Sequence, residues 1–102
     1  MNLLVRSDEE ARPGLEGEAE MRTRIVRIAV VAALGSLLYR QHRWEEALRH
    51  LTEALRLRPD LADARFHMAA IYWQQGRYAE AAEQRAALAR LRPDLASRLP
   101  TP

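Results

Sequence analysis

Three histidines, His42, His50 and His67, are the first residues to weigh for chemistry. An imidazole binds a metal or moves a proton only where further ligands or a nucleophile converge on it. These three do not share a short motif. His42 sits where helical spacing breaks, and His50 falls on the polar side of an amphipathic stretch. Glu45, Glu46 and Glu80 lie opposite apolar positions and read as solvated carboxylates. There is no cysteine, so thiolate chemistry and disulfides are excluded. No Gly-rich phosphate loop and no Ser–His–Asp order occurs. The residue inventory therefore predicts a chain that is not an enzyme, with no catalytic residues, no metal and no cofactor.

Composition narrows the class of partner. The chain has 102 residues, 48% of them apolar and 29% charged, which suits one small globular domain. All 16 cations are Arg, a bias expected of a GC-rich genome. The net charge is +2. Residues 1–27 carry five Arg against six acids, and residues 28–102 carry eleven against eight. Neither half has the basic excess that nucleic acid requires, and a membrane surface is equally disfavoured.

The elements that must position any site are announced by repetition. Residues 56–62 read RLRPDLA, and residues 90–96 read the same, an offset of 34. At that offset RWEEA (43–47) falls on RYAEA (77–81), and Tyr39 falls on Trp73. Ten of 34 positions agree between 28–61 and 62–95. A fixed period of this size marks a solenoid unit. Each unit reads as two helices. In the first, apolar residues at 28, 31, 34 and 38 keep helical spacing, QHR interrupts, and Trp44, Ala47, Leu48, Leu51, Ala54 and Leu55 form a second stripe. Pro59 stops it. The second unit repeats the plan through Met68, Ala69 and Tyr72, a break at Gly76, and Ala81 and Ala82, up to Pro93. Asp60 and Asp94 are placed to cap whatever helix follows.

The pattern resembles the tetratricopeptide repeat. Unit one supplies Leu34, Gly35, Leu38, Ala47, Leu51, Ala54 and Pro59, and unit two Met68, Ala69, Tyr72, Ala81 and Pro93. Gly35 is expected to face Ala47 across a tight helix crossing. Three departures stand out. Val31 and Arg65 replace an aromatic, Arg85 takes the bulky position held by Leu51, and Leu88 takes the small position held by Ala54. The resemblance implies an all-α solenoid of helix-turn-helix repeats. It also implies a concave face that binds a protein or peptide, with Tyr39, Arg40, Phe66, His67, Trp73 and Gln74 as the partner-binding groove. Ala32, Ser36 and His67 stand where a carboxylate clamp would need Lys and Asn.

Ahead of the repeats, residues 1–16 read as weakly structured, with a possible capping box at Ser7 and Glu10 and a break at Pro13-Gly14. A long helix is expected from about 17 to 41, supported by Glu18–Arg22 and Glu20–Arg24 pairs. Residues 96–102 read as a frayed tail. The predicted domain is 17–95, with repeats at 28–61 and 62–95. Residues 25–38 are apolar but broken by Arg27, and 14 residues are too few to span a bilayer.

The reading is a cytoplasmic adaptor or accessory subunit. The competing one is a membrane-tethered assembly factor anchored by 25–38. Two repeats leave both end faces bare. A homodimer or a larger complex is therefore expected, with Met21, Ile25, Leu88 and Leu91 in the contact.

Overall fold

A computed structural model describes residues 2–101 of the protein, with side-chain surroundings from residue 17 onward. Five helices follow in order: α1 Asn2–Arg40, α2 Trp44–Leu57, α3 Ala62–Gln74, α4 Tyr78–Leu91 and the single-turn α5 Pro93–Ala96. No strand occurs among the described residues. The plan is the expected one: a long helix leading into two helix-turn-helix units. α1 starts earlier than its expected beginning near 17, running from Asn2 through Pro13-Gly14 and Gly17 without a break. Propagating a helix past isolated weak formers is easier than nucleating a second one. The expected capping box at Ser7 and Glu10 lies outside the described side chains.

The turns show why 34 residues make a unit. α1 closes on a Schellman turn, with Arg43 N–H donating to the Leu38 carbonyl (2.9 Å) and His42 N–H to that of Tyr39 (3.0 Å). α3 closes the same way, through Arg77 to Tyr72 (2.8 Å) and Gly76 to Trp73 (3.1 Å). The left-handed position is His42 in the first unit (φ 61°) and Gly76 in the second (φ 75°). α2 and α4 then open alike. Arg43 forks onto Glu46, its shortest contact 2.7 Å, and Arg77 forks onto Glu80. Each acid sits in the first turn, where the helix dipole favours it.

RLRPDLA exits each pair differently from expectation. Asp60 and Asp94 cap nothing. Asp60 pairs with Arg58 (3.0 Å) and Asp94 with Arg92 (2.7 Å), and no side-chain cap bond forms at the start of α3 or α5. A short Asp beside an Arg two residues away finds a charge-assisted partner locally.

Two core clusters hold the units. Leu38, Ala47, Leu48 and Leu51 meet Ala64, Met68 and Ile71, so α3 closes the groove between α1 and α2. The second cluster is Ala69, Leu88, Ala96 and Leu99. Leu99 is buried, and turn bonds from Ser97, Arg98 and Leu99 lead the chain back onto α3 and α4. The tail is therefore folded over the end of the array and not frayed. Leu88, expected at a contact between chains, is fully buried inside this cluster. The larger residue at the small position reaches the tail that covers it.

Of residues 25–38, two join this packing, while Ile25, Val26, Val30, Leu34 and Leu37 stay exposed. Gly35 and Leu38 are buried against α2 and α3. No helix of the described residues is long and apolar enough to cross a membrane.

Candidate functional site

α1 and α3 lie side by side, and their shared face carries a line of rings. His42 stacks on Trp44 (centroids 4.9 Å apart), Trp44 meets Tyr39 (5.7 Å), Tyr39 meets His67 (4.8 Å), and His67 meets Phe66 edge-on (5.9 Å). Five rings thus run from the first turn across α1 to α3. The Ser36 hydroxyl and His67 Nδ1 lie 3.3 Å apart and tie the two helices together. Tyr39, Phe66 and His67 are half-buried, while Arg40 and Gln74 stay exposed.

Local sequence explains the placement. Tyr39 and Trp44 are separated only by the tight turn, so their rings must meet. His67 points to the seam because Ala64, Met68 and Ile71 on the same helix turn into the core, while Phe66 meets His67 edge-on and also packs against the second cluster. Burial pushes the His67 imidazole below its ordinary range. Asp63 opposes that shift and Arg40 adds to it. The seam thus favours a neutral imidazole beside aromatic faces, which suits apolar and hydrogen-bonding contacts.

The structure brings together Tyr39, Phe66 and His67, with Arg40 at the edge. It separates Trp73, whose ring meets Tyr78 edge-on at 4.7 Å. Trp73 and Tyr78 wall a cavity of about 200 Å³ at the far end of the array, with Ala81, Arg85 and Leu99 among its other walls. Arg85 Nε is buried there without a hydrogen-bond partner. Trp44 and His42 were not anticipated in the groove. The signal was their closeness to Tyr39 across a turn. Met21 and Ile25 are exposed on α1, and Leu91 is exposed at the end of α4.

No group of three His, Cys, Asp or Glu among the described residues could hold a metal ion. What the surface offers is shape and rings set on rigid helices. A family model for the tetratricopeptide repeat matches residues 35–76, from the middle of α1 to the turn after α3. That stretch is similar to the tetratricopeptide repeat. No curated protein and no solved structure gives a significant match. Tetratricopeptide repeats generally mediate contacts between proteins, and the matched stretch includes all five rings of the seam.

Proposed function

We propose that the chain is a non-catalytic adaptor or accessory subunit that takes a segment of a partner protein along the α1/α3 face. The observation that carries this is the continuous ring line His42–Trp44–Tyr39–His67–Phe66, half-open to solvent on α1, α3, the start of α2 and the turn before it. Aromatic side chains give large contact area for little lost freedom and dominate interface energetics. Arg40 and Gln74 supply a polar rim. Trp73 belongs to a different surface. The partner is a protein or peptide. The mixed, weak net charge argues against nucleic acid.

The cytoplasm is the proposed location. The alternative, a tether through 25–38, is less favoured because no helix among the described residues is long and apolar enough to cross a membrane.

The test is affinity capture from native lysate, comparing the wild type with Phe66→Ala and Tyr39→Ala by quantitative mass spectrometry. A protein retained by the wild type and lost from both variants, with helix content unchanged, supports the reading. Equal retention by all three baits sinks it.

A further inference from the structure

The offset of 34 gives every residue of the α1/α2/α3 interface a counterpart elsewhere in the chain. α3 closes the first groove with Ala64, Met68 and Ile71. Their counterparts one unit earlier are Val30, Leu34 and Leu37 on α1. These face outward, at 51%, 40% and 49% exposure. The groove that α3 fills includes Tyr39, Trp44, Ala47 and Leu51. Their counterparts one unit later are Trp73, Tyr78, Ala81 and Arg85, and these line the cavity at the other end. One end of the chain thus repeats the inserting edge of an interface the chain already makes, and the other end repeats its receiving groove.

We propose that the chain associates head to tail with a second copy. The Val30–Leu34–Leu37 edge of one α1 enters the α3/α4 cavity of the next copy, as α3 enters the α1/α2 groove within one chain. This goes beyond the partner-binding reading and uses neither Tyr39 nor Phe66 as a contact.

Two features keep the contact weak and adjustable. Arg85 stands where the first groove has Leu51, so the receiving cavity has a cation on one wall. The tail also lies across part of the cavity, with Leu99 buried against Ala69 and Leu88. An incoming α1 must displace the end of that tail. Because the two surfaces differ, each added copy leaves one of each unfilled. The assembly therefore grows and does not close at two.

Sedimentation across a concentration series decides this. The wild-type mass should rise with concentration and pass that of two copies without a plateau. Leu37→Glu places a carboxylate in the contact and should weaken association by about tenfold or more. Val30→Glu, on the same edge, should do the same. Both positions are exposed, so the melting curve should barely move. Arg85→Leu restores the residue of the first groove and should strengthen association about tenfold. Ala82→Glu, on an exposed wall of the cavity, should block the receiving end. Mixed, Leu37→Glu and Ala82→Glu chains should form one pair and stop, because each retains the surface the other lacks. The proposal is overturned if wild type and Arg85→Leu both stay monomeric throughout. A closed dimer indifferent to Leu37→Glu and Val30→Glu also overturns it.

Discussion

Gly35 on α1 lies directly beneath Leu51 on α2: a Cβ at position 35 would stand 2.7 Å from both Cγ and Cδ2 of Leu51. The expected facing pair was Gly35 and Ala47. Ala47 is fully buried in the same cluster, but the closest atoms over Gly35 belong to the bulkier Leu51. The second unit changes both members together, to Ala69 and Arg85. A methyl group at 69 is tolerated where the large apolar residue is gone. Gly35→Ala should gain about 1 kcal/mol of helix propensity. It must also push a side chain that has no room, which costs roughly 1–3 kcal/mol. The net expectation is a modest loss for Gly35→Ala and a larger one for Gly35→Leu, read from urea midpoints. An unchanged midpoint for Gly35→Leu would refute the tight crossing.

His42 and Gly76 hold the same left-handed turn position in the two units. A Cβ at 76 meets nothing within 4 Å, so only the backbone opposes it. Gly76→Ala should therefore destabilise by about 1–2 kcal/mol through the left-handed penalty alone. His42→Gly removes that same penalty but gives up the stack on Trp44 and frees the unfolded backbone. Its melting temperature should move far less than that of Gly76→Ala. Equal and opposite shifts would contradict a structural role for the His42–Trp44 stack.

Glu46 pairs with Arg43 on an exposed helix start. Such pairs contribute about 0–1 kcal/mol, so Glu46→Leu should be close to neutral in urea. A loss as large as that of Gly35→Leu would mean α2 is turned the wrong way round.

The period, the helix breaks at QHR and Pro59, and the core face of α2 were all legible in the residues. Each depends on spacing along one helix, where geometry is fixed by 3.6 residues per turn. What was not legible depends on contacts made after the chain folds back. Asp60 has the right type and place for a cap, yet Arg58 lies nearer in space. Leu88 reads as an exposed end residue until Leu99 returns to cover it. Tyr39, His67 and Phe66 could be placed on one face by the repeat pattern. Trp73 belongs one unit further along, where it meets Tyr78 as Tyr39 meets Trp44.

Asp94 gives a pH test of the terminal turn. The fork from Arg92, ahead of all other causes, lowers its carboxyl to about 2 from an ordinary 3.8. A depressed carboxyl contributes stability above its unfolded value, and that contribution disappears as pH falls through the folded one. The wild type and Asp94→Asn should therefore differ most above pH 3.8 and converge toward pH 2. Melts at several pH values check this. A gap that widens on acidification would contradict the pairing. The size of the gap should be small, because both partners are solvent-exposed.

His67 should make the seam acid-sensitive in a higher range. Burial against Phe66, Tyr39 and Ser36 is the main reason its folded value lies below the ordinary 6.5, with Asp63 opposing and Arg40 assisting. The unfolded chain then binds more protons than the folded one as pH falls past 6.5, so stability falls with pH in that window. Above it the imidazole is neutral in both states and contributes no slope. His67→Gln keeps a hydrogen-bonding group near Ser36 but does not titrate there. Its stability should be flat across the window in which the wild type declines. Arg40→Gln removes a repelling cation and should shift the wild-type decline to lower amplitude without abolishing it. Two-dimensional NMR of the His67 ring through the same range gives the independent reading: its titration should lie below the ordinary 6.5. A His67 titration at or above the ordinary 6.5, or a His67→Gln variant with the wild-type acid slope, would show that the ring is not enclosed by the seam.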